Sequence, residues 1–317
     1  MKKIFVAVMA MAAFAACSNE EQIAAPKGQE IAFGDAFVDN ATKAIITSSD
    51  DLSKFTVWGN VAATGTTNYV ALYGTDGATV SRNGKALGAA WDCSLTRYWT
   101  PACDYNFVAI ANHTGVTVDN GVPTEIKYTV NAETLADLIY SSATANTSTE
   151  NLVSGSVTGG NIVAFTMKHL LSRVKLSFNN ADDTTDDAYS YLIKDISITT
   201  WEKGVYTIGA ETPWAKEAES NDVTISYPNI ANAIVEGATA SSDGDQLVIP
   251  GSTVNVAFTY ELKLNGTTIY TDTVEGTVSG LVAGHAYNVT AQLKQNKKIE
   301  FTVTSLETWV DDPATIQ

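Results

Sequence analysis

The sequence predicts an all-β chain of two antiparallel β-sandwiches in tandem. Short segments alternate apolar and polar residues along most of its length, as at Val254, Val256, Phe258, Tyr260, Leu262 and Leu264. That is the period of a strand with one buried face. Between the segments stand turn dipeptides such as Asn265-Gly266, which supply the positive φ that a tight hairpin needs. The length of 317 residues is about twice the ~150 residues of one domain. The two halves show the same strand-rich character, so a sandwich is expected in each.

The N-terminus reads as an address. Lys2 and Lys3 precede an apolar run from Ile4 to Ala16, which is too short to span a bilayer and suits the core of a signal peptide. The run ends in Ala15-Ala16-Cys17. Small residues just before a cysteine form a lipobox, where Cys17 is acylated and becomes the mature N-terminus. The plainer alternative is an ordinary signal peptide with a chance cysteine. Residues 1–16 are thus read as signal peptide and 17–29, polar with Pro26 and Gly28, as a lipidated tether. The fold follows in two parts, 30–155 and 156–317.

Glu30 to Lys43 has weak strand character around Ile31 and Phe33, interrupted at Gly34-Asp35. Phe55-Thr56-Val57-Trp58 is a strand. Between Ala62 and Ala111 lie short strands with turns at Asp76-Gly77 and Asn83-Gly84, both read as hairpin dipeptides. Tyr105–Ile110 and Ile126–Val130 are further strands. Glu133–Ile139, with Leu135, Leu138 and Ile139 on one face, is the one helical candidate. Thr144–Gly160 is rich in Ser, Thr, Asn and Gly and reads as the linker between halves. From Ile162 to Phe178 the apolar parity changes around His169–Ser172, which implies a bulge or a crossover between two strands. The acidic run from Asp182 to Asp187 lacks the Gly and terminal Glu of an EF-hand loop, so a solvated turn is preferred to a calcium site. A hairpin from Val254 to Val278 turns at Asn265-Gly266, and strands around Tyr287–Leu293 and Ile299–Val303 complete the series.

Composition excludes whole classes of function. Asp and Glu number 35 against 19 Lys and Arg, a net charge of −16, and the only arginines are Arg82, Arg97 and Arg173. Nucleic-acid backbones and anionic membrane patches both need clustered basic residues. The three histidines, His113, His169 and His285, lie far apart, without HExxH spacing. No nucleophile elbow, phosphate-binding glycine loop or cofactor motif occurs, so no catalytic residue, metal ligand or cofactor is assigned. His169 reads as a structural histidine inside an apolar strand region. The carboxylates cluster in polar turns, which disfavours a two-carboxylate glycosidase. Six tryptophans, Trp58, Trp91, Trp99, Trp201, Trp214 and Trp309, could form a sugar-binding platform, but core packing is the preferred reading. Outside the cytoplasm, Cys93 and Cys103 can form a disulfide or stay as two buried thiols.

An ordered set of motifs resembles the fimbrillin-like proteins of Bacteroidetes. It comprises Phe55-Thr56-Val57-Trp58-Gly59, Trp91, Arg97-Tyr98-Trp99-Thr100-Pro101, Tyr105-Asn106-Phe107, Asp137-Leu138-Ile139-Tyr140, Ala164–Val174 and Ile299–Trp309. Thr100, between Trp99 and Pro101, is a one-residue departure from the family's Tyr-Trp-Pro. Ser18-Asn19-Glu20-Glu21 also resembles the surface-export signal of lipoproteins in that phylum. The resemblance implies two transthyretin-like sandwiches and a structural or adhesive fimbrial subunit, exported as an outer-membrane lipoprotein. It implies a protease that cuts after a basic residue and removes the first strand. Lys43–Ala44 suits that cut better than Lys27, in the tether, or Lys54, beside a core strand. It further implies partners of the same kind, joined by strand exchange, with Ile299, Phe301, Val303 and Trp309 on the donated segment. A host or bacterial surface ligand would be the target of adhesion. The reading kept beside it is a surface glycan-binding lipoprotein. Asp272-Thr273-Val274 also fits an O-glycosylation pattern of that phylum.

Overall fold

The computed structural model describes residues 28–38, 52–86, 89–132, 135–148, 153–158, 162–182, 189–295 and 298–308. They form strands and turns with no helix among the described residues, so the expected all-β class is what the chain adopts. In chain order the strands are β1 (Ala32–Val38), β2 (Lys54–Ala63), β3 (Val70–Ala71), β4 (Ala78–Ser81), β5 (Asp92–Cys93), β6 (Cys103–Ala111), β7 (Gly115–Asp119) and β8 (Val122–Thr129). Next come β9 (Ile139–Thr147), β10 (Val153–Gly155), β11 (Val157–Thr158), β12 (Ile162–His169), β13 (Ser172–Asn180), β14 (Tyr189–Trp201), β15 (Lys203–Thr207) and β16 (Trp214–Lys216). The last are β17 (Asp222–Ser226), β18 (Ile234–Val235), β19 (Thr239–Ser241), β20 (Gln246–Val248), β21 (Val254–Leu264), β22 (Thr267–Val278), β23 (His285–Leu293) and β24 (Glu300–Thr308).

The first sheet runs β1-β12-β9-β6-β2-β4-β5, with β3, β10 and β11 as side strands. It wraps around its own core of Phe33, Phe55, Val57, Tyr105, Phe107, Val163, Phe165 and Met167. On β2 and β6 the opposite parity, Trp58, Val108 and Ile110, faces a second core. That core continues between two five-stranded sheets, β19-β13-β23-β24 with β20 beside β13, and β17-β14-β21-β22 with β18 beside β14. Phe178 of the one meets Phe258 of the other edge-on at 4.9 Å, so the C-terminal half is a two-sheet sandwich. A four-stranded sheet, β16-β15-β8-β7, joins strands from both halves of the sequence.

Several local readings hold. Asn265 and Gly266 both take positive φ, 49° and 81°, and Leu264 pairs with Thr267 across them, as a type I′ hairpin requires. The parity change near His169 is a crossover. β12 belongs to the first sheet and β13 to the sandwich.

Others are corrected. Among the described residues of Glu133–Ile139 there is no helix: 135–138 are irregular and Ile139 opens β9. Leu138 and Ile139 are buried, but in two different cores, so their apolar pairing was not a helix face. The stretch 144–160 is not a loose connector where it is described, because it carries the end of β9 and all of β10 and β11. On β9 the buried positions after Ile139 are Ser141, Ala143, Ala145 and Thr147. Small and hydroxylated residues at every second place hide a strand's period from a reading based on hydrophobicity. Asp182 is not a solvated turn residue. It is buried, and its carboxylate accepts bonds from Tyr191 Oη (2.9 Å) and Gln295 N (2.6 Å). At Asp76-Gly77 only the glycine has positive φ, so that turn is not the expected I′ type.

Candidate functional site

The most distinctive feature is how β1 is held. It runs parallel to β12, with Ala32 and Phe33 opposite Ile162 and Val163 and Ala36–Val38 opposite Phe165–Met167. The register breaks between Phe33 and Ala36, at the Gly34-Asp35 interruption seen in the sequence. A Cβ at Gly34 would come within 2.6 Å of Ile162 Cγ2, so a larger residue there would have to push the Ile162 side chain aside. On its other side, the N-terminal part of β1 bonds to the segment around residues 91–99. Ile31 N donates to Arg97 O (2.8 Å), Trp91 N to Phe33 O (2.7 Å) and Trp99 N to Gln29 O (2.9 Å). A bridge joins Glu30 and Tyr98. The segment thus passes from bonding with residues 97–99 to pairing with β12, and at Phe33 it sits in a slot held by backbone on both sides.

The slot is lined with rings. Phe33 is 0 % exposed and stacks on Phe165 at 6.0 Å, with Phe107 and Tyr73 edge-on at 5.7 and 6.0 Å. Trp99 packs edge-on to Tyr105 at 4.7 Å. Arg97 is fixed by donating from Nε to Leu72 O at 2.6 Å and lies over the Tyr73 ring. Two buried polar atoms beside β1, Tyr73 Oη and Trp99 Nε1, have no hydrogen-bond partner. Burial pushes the Tyr73 hydroxyl far above its ordinary range, and neighbouring Cys93 adds to this while Arg97 opposes it.

Where the first sheet hands over to the sandwich lies a buried, hydrogen-bonded Asp–His pair. His169 Nδ1, at the end of β12, and Asp137 Oδ2, just before β9, are 2.6 Å apart. Burial raises the Asp137 carboxyl, and the hydrogen bond to His169 works against that. Asn112 Nδ2 donates to the Asp137 carbonyl (2.8 Å), and Tyr128 Oη donates to the Ala136 carbonyl (2.6 Å). The structural role expected for His169 is what it has, but no sequence spacing announced Asp137 as its partner.

Cys17, Lys43, Ala44 and Trp309 lie outside the described residues. Ile299 precedes β24 and Phe301 is half-buried on it. Phe301 sits edge-on to Phe258 at 6.2 Å and against Gly276, where its ring leaves no room for a Cβ. Val303 is 42 % exposed. β24 is thus an edge strand whose described side chains are mostly outside the core. Cys93 and Cys103 are both free. Cys93 pairs with Val80, and Val80 with Phe55, whereas Cys103 pairs with Ala63. Eight residues of β2 separate those positions, ~26 Å of strand, far beyond disulfide reach. Trp58, Trp91 and Trp99 are buried, and Trp201 and Trp214 are half-buried, so none of the described tryptophans forms an exposed platform. Trp58 Nε1 donates to Thr75 O and Trp214 Nε1 to Leu170 O. Among the described residues no three His, Cys, Asp or Glu side chains gather as a metal site would need.

These features define a class: an all-β fold whose first described strand pairs parallel with β12 at the end of a sheet. The chain belongs to the fimbrillin-like family, whose model matches residues 40–309. Its fold is similar to that of a fimbrial protein from Bacteroides vulgatus, with a TM-score of 0.56, 14 % identity, and 88 % of this chain and 99 % of that one covered. The fimbrial anchor protein Mfa2 from Porphyromonas gingivalis aligns over 90 % of this chain and 100 % of its own, at 11 % identity and a TM-score of 0.41. No curated protein sequence matches the chain.

Proposed function

We propose that the chain is a structural and adhesive subunit of a cell-surface fimbria. In this reading it reaches the outer membrane as a lipoprotein acylated at Cys17 and is cut at Lys43–Ala44. The vacated slot then takes a strand from the next subunit. The observation that carries the reading is β1 itself. It ends five residues before Lys43, and it contributes Phe33, with Ile31 just ahead of it, to a core otherwise built from residues after that point. Removing it would expose unpaired backbone along β12 and an aromatic-lined groove, and a neighbour's strand could refill both. Such a contact is head-to-tail and does not close, so repetition makes a filament. The donor in this reading is Ile299–Gln317. β24 suits it, being an edge strand with Val303 exposed and only partial cover over Phe301. Lipid on Cys17 would hold uncut copies at the membrane. The first sheet keeps β12, so we place the boundary between the two halves at Leu170–Leu171 in preference to residue 155.

N-terminal sequencing of surface-shed protein tests the cut: the expected first residue is Ala44, and a start elsewhere removes that step. Deleting residues 310–317 together with Trp309 should leave a soluble monomer and no filaments by electron microscopy. Filaments that persist would place the donor elsewhere. A glycan array tests the reading of a glycan-binding lipoprotein, which would require binding that is lost on substitution of Trp201 or Trp214.

A further inference from the structure

We propose that cutting the chain after β1 does not open the slot: the severed segment stays as a non-covalently held plug, and a competing strand displaces it from the Ala36–Val38 end. The displacement half rests on the strand-exchange reading above. The retention half does not.

The two parts of β1 are held unequally. Just ahead of β1, Gln29 and Ile31 are bonded to Trp99 and Arg97, and at its start Ala32 and Phe33 pair with β12 while Phe33 O also accepts from Trp91 N, so the backbone is held on both sides at Phe33. Ile31 and Phe33 are 2 % and 0 % exposed. From Ala36 to Val38 the described pairing is with β12 alone. The register break at Gly34-Asp35 separates the two parts, so fraying that starts at Val38 meets a discontinuity before it reaches Phe33. A cut at Lys43 falls on the weakly held side. It removes the covalent tie where the strand already holds least, and leaves the anchored part untouched.

Release of the segment would require Phe33 to leave Phe165, Phe107 and Tyr73 with no ring in its place, and three backbone bonds to break together. Spontaneous loss is therefore slow. A second copy's strand changes the path. Taking β1's direction along β12, it pairs first at Phe165–Met167, where the described pairing of β1 is with β12 alone, and advances stepwise, so the core is never empty. The partner is an extended segment of another copy, with a large apolar side chain to take Phe33's place.

The test uses the full chain with a viral-protease site in place of residues 40–46, so that retention is measured whether or not Lys43 is the natural cut. After cleavage, native mass spectrometry follows the N-terminal piece on the body. It should stay bound for hours, and an excess of a synthetic peptide of residues 298–317 should release it. Phe33→Ala, cut after folding, should speed release by at least about a hundredfold. Hydrogen exchange of the uncut chain should show Ala36–Val38 amides opening before Ile31–Phe33. A piece that departs on cutting with no competitor overturns the plug and leaves strand exchange standing. A piece that stays but yields to no peptide overturns strand exchange by this donor and leaves the plug standing. Equal protection across β1 overturns the direction of entry.

Discussion

Asp137 and His169 face each other at 2.6 Å with side chains 0 % and 1 % exposed, beside the point where β12 pairs with β9 through His169 and Ile139. A buried pair contributes little net stability over a packed apolar pair, but losing one member strands the other. His169→Ala should therefore cost roughly 3–5 kcal/mol. Combining Asp137→Leu with His169→Phe should cost less than that single change. Urea unfolding of His169→Ala, of the double variant and of Asp137→Leu and His169→Phe alone decides it, and additive losses in the cycle would show that the pair is not coupled.

Phe33 and Val303 make a second contrast. Phe33→Ala should destabilise by about 3–5 kcal/mol, as for a ring lost from a full core, whereas Val303→Ala on the exposed edge should stay within ~0.5 kcal/mol. Thermal unfolding of the uncut chain measures both. A small loss at Phe33 would mean that β1 is not part of the cooperative fold.

His113 provides a pH test. Its ring lies edge-on to Trp58 at 5.4 Å, its Nδ1 is buried without a partner, and burial lowers its pKa. The folded state then binds the proton less well than the unfolded chain. Its contribution is present above the ordinary value of 6.5 and is lost as pH falls toward the depressed one. The difference in stability between the wild type and His113→Gln should change by no more than about 1.4 kcal/mol per pH unit across that window. A flat difference from pH 7 to 5 would rule the effect out.

The cysteines should be slow to react. Burial pushes the Cys103 thiol up to about 11, with Asp104 adding to it, and burial also raises Cys93. At pH 8 little thiolate forms at either, so alkylation should be slow in the folded protein and fast in denaturant. Intact mass under non-reducing conditions should show no loss of two hydrogens at this pair. For a thiol whose folded pKa is raised, the unfolded chain ionises first. Cys103 therefore contributes stability that is lost as pH rises from 9.0 toward about 11.

The sequence announced what local chemistry controls. Asn265-Gly266 named a hairpin because few other pairs tolerate its two positive φ angles. The parity switch near His169 marked a change of sheet, because β12 buries its odd positions, Val163, Phe165 and Met167, in the first core and β13 buries its even ones, Val174, Leu176 and Phe178, in the second. Gly34-Asp35 marked a break that proved to be a register shift. What was hidden depends on neighbours distant in sequence. β9 buries Ser141, Ala143, Ala145 and Thr147, whose composition is that of a linker. Asp182 looks like a surface acid until Tyr191 and Gln295 reach it. The parallel pairing of β1 with β12 links residues about 130 apart, and no periodicity encodes it.

Leu170 and Leu171 are all that separates β12 from β13. Each is tied sideways: Leu170 N donates to Leu138 O, Trp214 Nε1 to Leu170 O, and Gly284 N to Leu171 O. Any tensile load passing between the halves along the backbone must cross these two residues. Their cross-ties share that load with the residue preceding β9, with β16 and with the turn before β23, so the joint resists stretching as a riveted splice does, by loading several members in shear instead of one in peel.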